Sequence, residues 1–113
     1  MPDTTSPSVP AAIPSAWNQD LIFAVLADPV RRRLLVSLAR HGGQPASVLK
    51  SAAHRRLDAT LKHLVAMRAA GFLVTRPDPG DGRRMLYSLA PAVPVVQSET
   101  GTVLDFGFCL LRL

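Results

Sequence analysis

The chain has 113 residues, which is the length of one domain and excludes two domains of ordinary size. Hydrophobic residues make up 48% of it and charged residues 19%, so it has material for a core and does not belong to the intrinsically disordered class. The formal charge of +5 favours a polyanionic partner, foremost a nucleic acid, and the single cysteine excludes both an internal disulfide and a cysteine-rich zinc site.

Residues 1–15 predict a flexible leader, because they hold four prolines and only one charged side chain, Asp3. They lack the basic start and apolar core of a signal peptide, and no apolar run reaches the roughly 20 residues that span a bilayer. We therefore expect a cytoplasmic protein with no membrane partner. The composition divides the rest into a basic globular body, residues 16–91, and an apolar C-terminal β arm, residues 92–113.

Two helices are predicted in the first part of the body. Apolar residues recur at helical spacing over about 16–27, with Ser15 as the N-cap. Asp28-Pro29 predicts the start of a second helix, because aspartate caps free amides and proline is favoured at the first helical position. Its predicted apolar face ends before the stop signal His41-Gly42-Gly43 and consists of Val30, Leu34, Leu35 and Leu38.

Two further helices follow at close spacing. Pro45 opens a short third helix from Ala46 to about Ala53, and after a turn Asp58 is positioned to cap a fourth. The fourth helix is expected to end at Gly71. Its predicted buried face consists of Leu57, Leu61, Leu64, Met67 and the aliphatic stem of Arg68.

Beyond Gly71 the hydrophobic period changes from helical to alternating. Short strands are predicted over 72–76 and 84–89, separated by the turn formers of 77–82, which makes a β-hairpin. Two helices at a turn followed by a basic-tipped hairpin predict a winged helix-turn-helix, a mainly α fold with a small β-hairpin (α+β). In that fold the second helix of the pair enters the major groove of DNA.

Four stretches of the body resemble, in the same order, motifs of the arsenical-repressor (ArsR) family of winged-helix transcription regulators, with the MarR family a more distant likeness. They are LADPVRRRLL at 26–35, DAT at 58–60, HLVAMRAAGFL at 63–73 and GRRMLYSL at 82–89. The resemblance covers roughly residues 20–91. It implies a dimeric protein that binds double-stranded DNA and regulates transcription.

The sequence departs from the resemblance at two places. Metal-sensing members carry a pair of thiolates where this chain has Gln44–Val48, and the three histidines lack ligand spacing, so no metal and no cofactor are expected. The family's tail is usually a helix that pairs across the dimer, whereas residues 102–113 alternate like a strand. The dimer geometry therefore stays open.

The candidate DNA-binding residues are small or basic and lie on the fourth helix, in the turn before it and at the hairpin tip. Lys and His donate to base edges and phosphates, while alanine leaves room for close approach. The alternative is that these residues have no DNA-binding role and form an ordinary solvent-exposed helix face and hairpin loop. The predicted set is Arg55, Arg56, Ala59, Thr60, Lys62, His63, Arg83 and Arg84.

Three other features of the sequence bear on structure or on catalysis. Arg31-Arg32-Arg33 lies in a first helical turn, where the dipole disfavours cations, so a structural salt bridge of Arg31 is expected. The family resemblance implies a packing or phosphate role for Arg31 as the alternative. Cys109 is expected to be a buried hydrophobe, with a redox-sensing thiol as the alternative. The sequence has neither a Gly-rich phosphate loop nor a nucleophile elbow, so it is not expected to be an enzyme.

The apolar tail predicts an assembly surface. We expect a β-hairpin or arm that turns near 98–101 and builds a homodimer, because an open apolar strand invites pairing. The residues expected to contribute are Leu104, Phe106, Phe108 and Leu110, on one face of the tail, and Trp17, from the first helix, which belongs either to the core or to the dimer seam.

These features together predict a sequence-specific DNA-binding transcription regulator, a repressor in the simplest case, that acts as a homodimer. A two-fold dimer would set two DNA-reading helices roughly 34 Å apart. The alternative is a winged-helix protein-interaction module that docks a partner through its apolar C-terminal strand. The operator, the regulated genes and any small-molecule effector stay open at this point.

Overall fold

The computed structural model describes residues 17–113, so the predicted leader and the proposed Ser15 cap lie outside the described residues. Four helices and two three-stranded antiparallel sheets, ordered β1-β3-β2 and β4-β5-β6, confirm the predicted α+β fold. The elements are α1 (Gln19–Leu26), α2 (Pro29–His41), β1 (Gln44–Pro45), α3 (Ala46–Ala53), α4 (Leu57–Ala69), β2 (Leu73–Asp78), β3 (Asp81–Leu89), β4 (Val95–Ser98), β5 (Gly101–Asp105) and β6 (Leu110–Arg112). No helix within this range is long and apolar enough to cross a membrane.

The first two helices are set by their caps. The side chain of Asn18 accepts a hydrogen bond from the Leu21 amide at 3.1 Å, so α1 begins three residues later than the predicted position 16. For α2 the predicted start is confirmed, because Asp28 Oδ1 accepts from the Val30 amide at 2.8 Å. Gly42, with φ of 75°, ends that helix where the sequence indicates.

The buried face of α4 differs from the predicted one. It consists of Thr60, Leu64 and Met67, whereas Leu57 and Arg68 are exposed and Leu61 is half-buried. Thr60 tolerates complete burial because its hydroxyl donates to the Arg56 carbonyl at 2.9 Å, one turn earlier.

The predicted cap of α4 is also wrong. Arg56 occupies the N-cap position, and no side-chain hydrogen bond caps the helix there. Asp58 lies inside the first turn, where its carboxylate accepts from the neighbouring Ala59 amide at 2.9 Å. A negative charge in the first turn still complements the helix dipole, so Asp58 favours helix initiation without being the cap.

The hairpin after α4, which we call the wing, is longer and more tightly turned than predicted. Its strands run to Asp78 and from Asp81, so Pro79-Gly80 alone closes the turn in place of residues 77–82. Asp78 Oδ1 accepts from the Gly80 amide at 2.9 Å, and the strand register shifts at Pro77. The two-residue strand β1 pairs with β3. The sequence does not predict β1, because the strand has only two residues and one of them is proline.

The C-terminal sheet packs on the helical body. Leu104 and Phe106 are fully buried, and the Phe106 ring lies 5.2 Å from Trp17 and 5.6 Å from Phe72 between centroids. Gly71 has φ of 92° and a Cβ there would stand 3.5 Å from the Trp17 ring, so the end of α4 is shaped to receive the indole. The dimer role predicted for Leu104 and Phe106 is therefore corrected, because these side chains complete the chain's own core, and of the two alternatives for Trp17 the structure supports the core.

The tail does not present one continuous apolar face. The chain turns sharply at Gly107, with φ of 87°, and Asp105 Oδ1 accepts from the Gly107 amide at 2.9 Å. Phe108 and Leu110, after this turn, are exposed. The predicted turn near 98–101 is confirmed, since Ser98 pairs directly with Gly101 between β4 and β5.

Candidate nucleic-acid interface

The excess positive charge of the chain maps to residues 50–84, which carry eight basic and three acidic side chains. This segment spans the end of α3, the turn into α4, α4 itself and the wing. His54 makes the turn tight by adopting a left-handed conformation, φ 54°, and its amide bonds back to the Ser51 carbonyl. The helix-turn-helix therefore brings the cations of α3, the turn and α4 close together.

Three open depressions join these cations into one surface. The first, of about 560 Å³, is lined by Lys50, Ser51, His54, Arg55 and Arg56. The second, also about 560 Å³, shares Lys50 and Arg56 with it and continues to Leu57, Asp58 and Leu61. The third, of about 290 Å³, shares Leu57 and Leu61 with the second and reaches the wing at Arg84, Met85 and Tyr87.

Lys62 and Arg83 extend this surface. Lys62 is exposed one turn after Asp58 on α4, and Arg83 precedes Arg84 on the wing. We call six exposed cations the basic surface: Lys50, Arg55, Arg56, Lys62, Arg83 and Arg84.

The guanidinium groups of the basic surface differ in how firmly they are held. The side chains of Arg56 and Arg83 are 93% and 96% exposed, and each only grazes a carboxylate, at 4.0 Å and 3.7 Å. Arg84 instead binds Asp78 at 3.0 Å across the wing. The Gly80 amide and then Arg84 lower the pKa of Asp78, so this pair stays ionised at neutral pH. Such exposed pairs contribute little to stability, which leaves Arg56 and Arg83 available for an external anion.

Three of the eight predicted DNA-binding residues are not part of this surface: Thr60, His63 and Ala59. Thr60 is fully buried. The half-buried His63 faces α2, where its Nδ1 accepts from Arg31 Nε at 3.2 Å and lies 4.0 Å from Asp28 Oδ2. Thr60 and His63 were predicted to be exposed because Leu57 and Leu61 were assigned to the buried face of α4. In the structure the buried face is centred on Thr60, Leu64 and Met67 instead. Ala59, which precedes Thr60 in α4, is half-buried.

The junction between Asp28 and His63 is electrostatically tuned. Burial works to raise the pKa of Asp28, but the Val30 amide and the nearby His63 and Arg31 outweigh it and lower that pKa. The N-cap of α2 therefore keeps its negative charge at neutral pH. His63 accepts through Nδ1, so its structural role is to orient Arg31.

The three consecutive arginines hold helix ends together. Arg31 Nη1 donates to the Ala24 carbonyl at 3.1 Å, Arg32 Nη1 to the Leu26 carbonyl, and Arg33 Nη2 to the Ala53 carbonyl at 2.9 Å. These carbonyls lie at the C-terminal ends of α1 and α3, where the helix dipole is negative. The structural role expected for Arg31 thus involves a carbonyl and a histidine as hydrogen-bond partners rather than a salt bridge.

Sequence reasoning missed Lys50 and the two leucines Leu57 and Leu61 as surface residues. Lys50 lies in the last turn of α3, four residues before His54, and only the charge excess of the segment could have pointed to it. The leucines match a buried helical stripe, so their sequence signal favoured the core.

Within residues 17–113 no group of three or more His, Cys, Asp or Glu side chains could hold a metal ion. Cys109 is partly buried against the core, and burial followed by the charge of Asp105 raises the pKa of its thiol. The thiol is therefore protonated at neutral pH, which agrees with the predicted hydrophobic role.

Comparison with known proteins places this fold. No protein-family model matches the sequence, and no curated protein matches it. A crystal structure of an ArsR family transcriptional regulator matches 62% of this chain and 68% of its own, with 30% sequence identity and a TM-score of 0.53. The chain belongs to the ArsR family. The ArsR-type winged helix expected from the sequence is thereby confirmed.

Other solved structures are similar to this ArsR-family chain. A probable transcriptional regulator from Pseudomonas aeruginosa is 25% identical, over 73% of this chain and 63% of its own, with a TM-score of 0.55. NolR from Sinorhizobium fredii shares the fold at 24% identity, over 74% of this chain and 80% of its own, with a TM-score of 0.57. The ArsR family protein and the Pseudomonas aeruginosa protein are both described as transcriptional regulators, the second as a probable one, which supports the assignment of this ArsR-family chain as a regulator.

Proposed function

We propose that the protein is a sequence-specific DNA-binding transcriptional repressor that acts as a homodimer. The observation that carries this proposal is the basic surface, which runs from the helix-turn-helix to the wing through three connected depressions. Winged-helix proteins place the second helix of the pair in the major groove, and α4 is that helix. Membership of a family of transcriptional regulators supports the same conclusion.

Each cation has a proposed task on the duplex. Lys50, Arg55 and Arg56 surround a depression that suits a backbone phosphate, and Lys62 projects from α4 toward base edges or phosphates. Arg83, whose side chain is 96% exposed near the tip of the wing, reaches the adjacent minor groove, and Arg84 braces the wing through Asp78. Thr60 and His63 support α4 from behind and make no contact with DNA.

Phosphate neutralisation makes the binding dependent on salt. If all six cations of the basic surface meet phosphates, the logarithm of the association constant falls with the logarithm of salt concentration with a slope of about −5 per protomer, or about −11 for a dimer on two half-sites. Fluorescence anisotropy with the duplex upstream of the protein's own gene, measured between about 50 mM and 200 mM salt, tests this slope. A scrambled duplex of equal length gives the non-specific reference.

Charge reversal separates the basic surface from net charge. Lys62→Glu and Arg56→Glu should abolish specific binding without loss of fold, because both side chains are exposed. Arg40→Glu, at an exposed position in the last turn of α2, changes the net charge by the same amount as Lys62→Glu but lies outside the basic surface and outside the proposed dimer surface, so it should retain most of the affinity. Equal losses in all three variants, or binding that ignores salt, would contradict the proposed interface.

The homodimer is proposed to form through α1 and the tail. Phe23 and Phe108 pack edge to face at 5.5 Å, and Leu21 and Leu110 on the same two segments are 49% and 68% exposed. Exposed apolar residues in adjoining segments are typical of an interaction surface. Of the five residues expected at the dimer seam, Phe108 and Leu110 are retained in this proposal, and Leu21 and Phe23 are added.

Sedimentation equilibrium tests the dimer surface. Phe108→Glu with Leu110→Glu should give a folded monomer, whereas Val96→Glu, an exposed position on β4, should leave a dimer. A monomeric Val96→Glu variant together with a dimeric tail variant would assign the dimer interface to the edge of β4 instead.

Repression is expected because a dimer bound to a promoter excludes other proteins from it. The expression of a reporter driven by that promoter should therefore rise when the gene for this protein is deleted.

A further inference from the structure

An apolar stripe runs along α4 beside the cations of the basic surface. Leu57, Leu61 and Val65 follow each other at intervals of four residues and so share one side of the helix. Leu57 is 42% exposed, Val65 is 62% exposed and Leu61 is half-buried. Single exposed apolar residues are ordinary on protein surfaces, but three in register on a helix that is expected to meet DNA are not.

The first two members of the stripe, Leu57 and Leu61, lie next to cations in two depressions, one of which also contains Asp58. Leu57 and Leu61 line the depression that contains Lys50 and Arg56, and the same two leucines line the depression that contains Arg84 and Met85. Its surroundings therefore favour an occupant that carries negative charge at its margins and apolar groups at its centre. A protein partner or a second copy of this chain would have to supply acidic groups on both sides of an apolar ridge.

The major groove of DNA presents that combination. Phosphates lie along its two edges, and the C5-methyl group of each thymine projects into it as the apolar feature of the base-pair edge. Residues four apart on a helix are separated by about 6 Å along its axis, which is close to two base-pair steps of about 3.4 Å each. Successive members of the stripe can thus meet thymines that are about two base pairs apart.

We propose that Leu57, Leu61 and Val65 are specificity-determining residues that recognise thymine methyl groups in the operator half-site. This inference rests on the proposed DNA-binding function. The cations beside the stripe supply affinity for any sequence, and the stripe supplies the preference for thymine. An A·T-rich half-site with thymines under α4 follows from this division of roles.

Replacement of thymine by deoxyuridine tests the proposal, because it removes only the methyl group and keeps base pairing and charge. The full-length protein first selects its site from a pool of random duplexes of about 30 base pairs, long enough for two half-sites. Each thymine of the selected half-site is then replaced in turn, and the dissociation constant is measured by fluorescence anisotropy. At one to three positions the loss should be about four-fold per methyl group.

Variants assign the methyl contacts to the stripe. Leu57→Ala and Val65→Ala change exposed side chains, so they keep the fold and should each erase the difference between thymine and deoxyuridine at one position. Leu61→Ala should do the same at the central position, with its folding verified by thermal unfolding. Arg83→Ala is the matched control, since it should weaken both duplexes equally and leave their ratio unchanged.

The outcomes separate this inference from the function on which it rests. Failure to bind or select any duplex would overturn the proposed function itself. Selective binding that deoxyuridine does not weaken would overturn only the role of the stripe. A methyl effect that persists in all three alanine variants would also overturn it, because other residues would then make the contact.

Discussion

Replacement of Phe106 by alanine distinguishes a core role of the tail from an assembly role. The ring is 1% exposed and lies between the rings of Trp17 and Phe72. Burial of a phenylalanine contributes about 1.5–3 kcal/mol, and each aromatic pair adds about 0.5–1.5 kcal/mol. We expect Phe106→Ala to lower the free energy of unfolding by about 4 kcal/mol, inside the range of about 3–5 kcal/mol for such truncations.

Phe108 provides the matched control, two residues further along the chain. Its side chain is 36% exposed and packs on Phe23 at the surface, so Phe108→Ala should cost the monomer only about 1 kcal/mol. Its main effect should be on self-association. Urea unfolding followed by circular dichroism measures the first quantity, and sedimentation equilibrium measures the second.

The magnitude has a practical consequence, because about 4 kcal/mol is a large part of the 5–15 kcal/mol that stabilises a typical domain. Phe106→Leu keeps most of the volume and should cost less than about 1.5 kcal/mol, so it remains measurable if the alanine variant does not fold. A folded, monomeric Phe106→Ala with the unfolding midpoint of the wild type would refute the core assignment. It would return Phe106 to the dimer seam that the sequence alone suggests.

Three further substitutions test local features of the fold. Asp28→Ala should lower the free energy of unfolding by about 1 kcal/mol at neutral pH, because it removes the cap of α2. Since the pKa of Asp28 is lowered in the folded protein, the difference from the wild type should shrink as the pH falls below about 4. A difference that does not change with pH would contradict a contribution of the carboxylate charge to the cap. Gly71→Ala should lower the unfolding free energy by about 1 kcal/mol, since φ of 92° strains any residue with a Cβ, and an unchanged melting temperature would speak against that geometry. Thr60→Val should cost about 1 kcal/mol from the lost hydroxyl bond to Arg56 but leave operator affinity unchanged, whereas a selective loss of DNA binding with normal stability would place Thr60 on the DNA-facing side.

The sequence by itself determined the features that depend on neighbouring residues. Asp28-Pro29 and Gly42 define α2 because capping and positive φ are local properties, and the turn at Ser98–Gly101 follows from the same kind of signal. The concentration of charge between residues 50 and 84 is likewise visible without a structure. These signals were enough to indicate the winged helix and its family.

Tertiary structure decided which side of each element faces inward. On α4, Thr60 could enter the core only because its hydroxyl finds the Arg56 carbonyl, and its burial turned Leu57 and Leu61 toward the surface. In the tail, alternation could not reveal whether the apolar face would be covered by this chain or by another one. Leu104 and Phe106 are covered by this chain, because they pack into the core beside Trp17 and Phe72. Residues far apart in the sequence form that part of the core, so no local pattern predicts it.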